Sequence, residues 1–294
     1  MSHNIPDYEF VNHITSALGN PPDLVIQYFH LSSNLIGCCI FIQTITDKDK
    51  IERYIIQPLI ESPPLKTAQP EQIIQAVNQV FFAIPVTKEK DFSACLHSIL
   101  NGNVILFVPP NEEVLLIDVS KYSNRAIAES KSEPTIRGPH DSFIESMETN
   151  ISLVRRRLKT PKLRFEEITL GDTTRTKVIS AYLEDVASPE VVNEFRSRLG
   201  SIQADAILES AYIEEWIQDK TLTPFPTLAN TDRPDIVTAH LLEGRVAVFI
   251  EGAPNVLIGP CTFFQFFIAA EDYYQRADVA TVIRWLRFFS FLLS

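Results

Sequence analysis

The sequence predicts an α/β protein built of two related lobes with small mixed sheets, joined by a long helix. Two features carry this expectation. An order of strand, three helices and hairpin occurs twice, 142 residues apart when measured from Gly102 to Gly244. Between the copies lies an amphipathic helical pattern with its own start and stop signals. The 294 residues, 45% of them hydrophobic, suffice for the cores of one or two domains.

Residues 1–30 read as a polar, proline-containing lead-in, and residues 31–136 as the first lobe. The run 35–44 is short, apolar and rich in β-branched and aromatic residues, which favours a buried strand. Cys38 and Cys39 would then point to opposite faces, because side chains alternate along a strand. Asp47 is placed to cap a helix over 48–60, where Ile51, Ile55 and Leu59 recur on one face. Pro58 falls in its last turn and Pro63-Pro64 end it. A second helix is expected over 70–82, with proline in its first turn. A third, over 92–100, ends at Asn101-Gly102, a helix-closing pair. The apolar runs 104–108 and 114–119 flank Pro109-Pro110-Asn111-Glu112-Glu113 and read as an antiparallel hairpin.

The second lobe, 161–277, repeats this order. Leu-Glu-Gly-Arg-Val-Ala-Val-Phe-Ile at 242–250 mirrors Leu-Asn-Gly-Asn-Val-Ile-Leu-Phe-Val at 100–108. Val256-Leu257 follows Val114-Leu115 at the same spacing, and the helix at 235–242 echoes 93–100. A strand pattern at 179–186, then Ser188, Pro189 and a helix to Leu199, echoes 38–45 and the helix after Asp47. The connecting helix spans 137–160. Pro139 stands at its first position, and Phe143, Met147, Ile151, Val154 and Leu158 form its apolar stripe. Arg155, Arg156, Arg157 and Lys159 crowd its last turn, where the helix dipole favours cations, and Pro161 stops it.

The final stretch, 278–294, is strongly apolar but carries Arg284 and Arg287. A spanning helix needs about 20 apolar residues, more than this run supplies. Two readings stand on the residues alone. One is the first part of a membrane helix, with Arg284, Trp285 and Arg287 at the interface. The other is an amphipathic helix packed on the domain or lying on a membrane surface.

Charge and motifs then exclude several classes. A net charge of −11 argues against nucleic acid, whose phosphates need a basic surface. The four cysteines form no Cys-x-x-Cys pair and the six histidines are scattered, so neither a metal site nor a metal cofactor is expected. No phosphate-binding loop, dinucleotide fingerprint or nucleophile elbow occurs, so an enzyme is the least favoured class and no cofactor is expected. The start of the chain has no secretory pattern. Arg137, before Gly138-Pro139, is placed to pair with a carboxylate, and a bridge locking the lobes is favoured over ligand capture. Asp235, after Pro234, suits the N-terminal turn of a helix, and His240 reads as a hydrogen-bonded core residue.

Motifs in order along the chain add a resemblance. Glu133-Pro134-Thr135-Ile136-Arg137-Gly138-Pro139, then Ser142-Phe143, Glu145, Thr149-Asn150 and Leu153-Val154-Arg155-Arg156-Arg157-Leu158, resemble the signature of GerA-type spore germinant receptor A subunits. So do Thr174-Arg175-Thr176, Asp205-Ala206-Ile207-Leu208-Glu209-Ser210, Arg233-Pro234-Asp235, Leu242-Glu243-Gly244-Arg245-Val246 and Ala270-Glu271-Asp272-Tyr273-Tyr274. His140-Asp141 departs from the pattern, which has a basic residue and then glutamate. The resemblance implies a cytoplasmic N-terminal domain of two α/β subdomains, followed by membrane helices, at the inner membrane of the spore. It implies B and C subunits as partners and resolves the C-terminal run as a membrane helix cut short; self-association is a further expectation. Arg137, Glu145, Asn150, Arg155, Arg156, Glu209, Arg233, Asp235, Glu243 and Arg245 become the interlobe or interaction candidates. The favoured role is subunit assembly and signalling to the membrane. The alternative is a module that closes an interlobe cleft on a small molecule.

Overall fold

Residues 8–32, 35–61, 85–109, 113–121, 139–207, 209–218, 226–267, 272 and 276–293 are described by a computed structural model. The chain divides into two units, Met1–Asn124 with Leu158–Lys162, and Arg125–Arg157 with Leu163–Ser294.

In the first unit, helix α1 (Glu9–Leu18) precedes strands β1 (Leu24–Ser32) and β2 (Leu35–Ile42). A helical run, α2, follows as Lys48–Ile51, a π-helical stretch Glu52–Ile56, and Gln57–Glu61. Asp47 caps it, accepting from the N–H groups of Asp49 and Lys50 at 3.1 and 3.2 Å. Pro58 has no N–H to continue the ladder, and just before it the Gln57 N–H reaches back to the carbonyl of Glu52, giving the wider turn. Then come β3 (Val86–Glu89), α3 (Phe92–Leu100), β4 (Val104–Phe107) and β5 (Val114–Ile117). The sheet runs β1-β2-β4-β5-β3. Cys39 and Phe41 pack on one face with Ile51, Ile55 and Leu59, while Cys38 and Ile40 pack on the other with Val11, Ile14 and Ile99. The opposite-face expectation for the two cysteines is met.

The second unit repeats this order. Helix α4 (Met147–Arg157) leads into β6 (Leu163–Leu170) and β7 (Thr176–Leu183), followed by α5 (Pro189–Gly200) and α6 (Ser210–Ile217). Strand β8 (Ala229–Thr231), α7 (Pro234–Leu242), β9 (Val246–Ile250) and β10 (Val256–Gly259) complete the sheet, which runs β6-β7-β9-β10-β8. This is the order of the first sheet, strand for strand. A 3₁₀ turn (Phe263–Phe267) and helix α8 (Ala277–Leu293) close the chain.

Several expectations are corrected. Every pairing among the described strands is antiparallel, so the sheets are not mixed. The lead-in contains α1 and most of β1, whose exposed Asn12, His13, Gln27 and His30 disguise elements buried on one side only. The helix expected from Pro139 begins at Met147 and lies in the second unit, where it precedes a hairpin as α1 does in the first. Strand β7 ends at Leu183, short of the expected 186. The helix expected over 70–82 lies outside the described residues.

The repeat is strictest at the turn after α3 and α7. Gly102 and Gly244 have φ of +89° and +85°, a region L side chains rarely adopt. A Cβ would lie 2.6 Å from the Ile45 carbonyl at Gly102 and 2.9 Å from the Val186 carbonyl at Gly244, too close in both cases. Gly102→Ala and Gly244→Ala are each expected to cost about 1–3 kcal/mol in urea unfolding. Gly200→Ala, where nothing lies within 4 Å of the added carbon, should be neutral or stabilising.

Candidate functional site

In the second unit the irregular segment before α4 is tied to the start of α7. The Arg233 side chain, 1% exposed, donates from Nε and Nη2 to the two carboxylate oxygens of Asp235 at 3.1 and 2.8 Å. This is the bidentate geometry that fixes a guanidinium. Nη2 also donates to the carbonyl of Pro139 at 3.1 Å. Asp235 lies in the first turn of α7, where the helix dipole favours a carboxylate. Beside it, the Phe143 N–H donates to the Asp232 carbonyl at 2.7 Å, and the Ser142 hydroxyl donates to the Asp232 carboxylate at 3.2 Å. Buried Asn150 imitates a strand neighbour. Its Oδ1 accepts from Ile144 N–H at 2.9 Å and its Nδ2 donates to the Ile144 carbonyl at 2.6 Å. The Glu145 carbonyl accepts from the Gly252 N–H at 3.3 Å, leaving its side chain exposed. Asp141 pairs with Arg157. Arg155 is 3% exposed, with its guanidinium 4.5 Å from the Phe165 ring centroid, a cation–π contact.

Arg233 and Asp235 thus hold this segment at Pro139, Asn150 holds it at Ile144, and Glu145 contributes its backbone alone. Arg155 and Arg156 lie at the end of α4, and Glu209 is exposed just before α6. Arg137 lies outside the described residues.

Glu243 and Arg245 form a second cluster where α7 ends. The Glu243 carboxylate is 3.1 Å from Arg245 Nη2 and 3.3 Å from His240 Nδ1, and Arg245 Nη1 is 3.7 Å from Cys261 Sγ. Burial, and then the Arg245 charge, push the His240 pKa down. Burial pushes the Cys261 thiol up, against the pull of Arg245, so it is no activated nucleophile. At the corresponding corner of the first unit, Asn103 Nδ2 donates to Ser98 Oγ at 2.9 Å. Asn101, in the place of Glu243, accepts there from Lys159 Nζ at 2.8 Å, so the turn does not demand the Glu243–Arg245 pair.

At the C-terminal end, the Asp272 side chain is wholly buried and accepts on Oδ2 from Arg284 Nε at 3.2 Å and Arg287 Nη1 at 2.8 Å. Arg287 Nη1 also donates to the Phe267 carbonyl at 3.0 Å. Phe263 and Phe267 pack edge-on against Phe291, with centroids 6.0 and 5.6 Å away. Trp285 is exposed and stacks on Phe289. The inner face of α8 therefore packs on the 3₁₀ turn and Asp272, while Val282, Leu286 and Leu292 stay exposed. Among the described residues, no helix is long and apolar enough to cross a membrane. Sequence reading missed this role of Asp272. The available signal was the carboxylate pair Glu271-Asp272 ahead of two arginines one helical turn apart.

A surface network offers a pH test. Arg196 donates to both Glu166 oxygens at 3.0 and 2.7 Å, and Tyr182 OH donates at 2.7 Å. The Arg196 bonds foremost hold the Glu166 carboxyl below its ordinary range, and burial then Glu166 push the Tyr182 phenol to about 12. A depressed carboxyl stabilises the fold above its unfolded value, and that contribution is lost as pH falls through the folded value. Arg196→Ala is expected to cost about 0.2–1 kcal/mol at pH 7, as partly exposed pairs do. Urea unfolding at a series of pH values should show the difference shrinking below about pH 4.

Two α/β units of the same strand order, with polar clusters that tie segments of the second unit together, define the class by its fold. The family model described as Bacillus/Clostridium GerA spore germination protein matches residues 12–294, and the chain belongs to that family. It is 38% identical over 266 residues to the uncharacterized membrane protein YfkQ of Bacillus subtilis, covering 90% of this chain and 51% of that protein. It is 35% identical over 279 residues to spore germination protein KA of the same organism, covering 94% and 51%. The chain thus spans about half the length of these relatives. It also superposes on the N-terminal domain of the A subunit of the Bacillus megaterium spore germinant receptor GerK3. That match has a TM-score of 0.65 and 33% identity over 86% of this chain and 94% of the other.

Proposed function

We propose that this chain is the cytoplasmic N-terminal domain of a germinant receptor A-type subunit, acting in spore germination by subunit assembly and by passing a signal to a membrane domain. The observation that carries the reading is the likeness to the GerK3 A-subunit domain over nearly all of that domain. The polar clusters support it, because each ties segments of the second unit together. In this reading the full protein sits in the inner membrane of the spore with B and C subunits as partners. The Asp272 bridges and the Phe263–Phe267 turn tie α8 to the rest of the second unit, and α8 is the element through which a signal would pass to the membrane domain. The test is co-purification of the tagged full-length protein with its B and C subunits from spore membranes, with germination assayed in its absence. Failure of all three to associate, or unaltered germination to every nutrient tried, overturns the reading.

A further inference from the structure

Helices α5 and α6 of the second unit frame a groove that the clusters above do not use. It is a cavity of about 350 Å³, with Val191, Phe195, Ile217, Leu228 and Pro260 supplying apolar walls. Glu190, Glu194 and Arg198 stand at its rim. Arg198 is committed inside the protein, donating to Glu194 Oε1 at 2.7 Å and to the Ile217 carbonyl at 2.6 Å. Glu190 is exposed beside it. Helix α6, which lends Ile217 to the groove, turns Tyr212 and Trp216 outward, 48% and 47% exposed. Four residues apart, they share one helix face, and exposed Glu215 adjoins them. Large aromatics half open to water, on the helix that lends Ile217 to an apolar groove, are the composition of an interface centre. The described charges of α5 and α6 are acidic on balance: Glu190, Glu194, Glu214 and Glu215 against Arg196 and Arg198.

We propose that this face docks a basic amphipathic segment of a partner protein, with one apolar side chain seated in the groove and Lys or Arg facing Glu190 and Glu215. The proposal rests on the assembly reading and names its surface. Charge complementarity selects the occupant. A second copy meeting this face symmetrically would set carboxylate against carboxylate. A small molecule filling the groove would leave Tyr212 and Trp216 uncovered.

The first test uses a fluorescein-labelled helical peptide of leucine and lysine as probe, with binding read by anisotropy at low salt. Glu190→Lys with Glu215→Lys should weaken binding about tenfold and Trp216→Ala about fivefold, with circular dichroism confirming the fold. Glu9→Lys with Glu52→Lys, the same charge change at exposed positions of the first unit, should stay within about twofold. Equal losses in all variants would mean that the peptide senses only net charge, and no binding would remove the surface; either overturns the proposal. The second test places a photo-crosslinking residue at 216, or at exposed Tyr54 in the first unit, of the full-length protein in spore membranes. A product joining position 216 to a B or C subunit supports the proposal. Products from 54 alone reject the surface and leave assembly standing, none from either site counts against assembly itself, and a product between two copies from 216 makes a second copy the occupant and overturns the proposal.

Discussion

Replacing Arg233 with alanine is expected to cost the second unit about 3–5 kcal/mol, the loss typical of breaking a buried ion pair from one side. The Asp235 side chain is only 9% exposed and would keep its charge without its bidentate partner. The Pro139 carbonyl would lose a donor at the same time. Because Pro139 begins the segment that Ser142, Phe143 and Asn150 also hold, that segment should loosen before the sheet does. Urea unfolding measures the global loss, and amide exchange at Ile144 and Gly252 reports the local one. A double change, Arg233→Met with Asp235→Leu, should recover much of the stability, since no charge is then stranded. A loss as large in the double variant as in Arg233→Ala would show that packing, not the ion pair, sets the cost.

The anchoring role of Arg233 was only partly legible in the sequence. The Pro234 start of α7 and the first-turn position of Asp235 could be read from local rules. The partner at Pro139 lies 94 residues away, a contact that no local pattern announces. The same limit explains the helix before it. Its stripe from Phe143 to Leu158 is genuine in burial, for Phe143, Ile151, Val154 and Leu158 are all buried. Yet Phe143 reaches the core from an irregular segment, donating its N–H to Asp232 and stacking edge-on against Phe249. Burial at helical spacing was mistaken for helix. The repeat was legible because Gly102 and Gly244 each answer the same demand for a left-handed turn against a carbonyl. The outer strands β1 and β6 were not, because an edge strand buries less and carries polar residues such as Gln27, Glu166 and Glu167.

The Asp272 bridges give the other large effect, and it is asymmetric. Arg284 and Arg287 side chains are 39% and 34% exposed, while the Asp272 side chain is 0% exposed. Removing the carboxylate leaves two cations that can turn to water. Removing both cations leaves a buried carboxylate without the guanidiniums that offset its desolvation. Arg284→Met with Arg287→Met is therefore expected to destabilise the packing of α8 by about 3–5 kcal/mol, and Asp272→Leu alone by much less. The aromatic contacts of Phe263 and Phe267 with Phe288 and Phe291 should then weaken with the bridges, since Arg287 bonds both Asp272 and the Phe267 carbonyl. Amide exchange across α8 and Trp285 fluorescence would follow the release. Adding Asp272→Leu to the double arginine variant should restore protection, because the stranded charge is gone. If the arginine variant keeps full protection along α8, the helix is held by its aromatic face alone and the bridges are surface decoration. Shortening the chain after Ala277 strands the same carboxylate, so the shortened form should lose stability near Asp272 even as it sheds the exposed apolar face of α8.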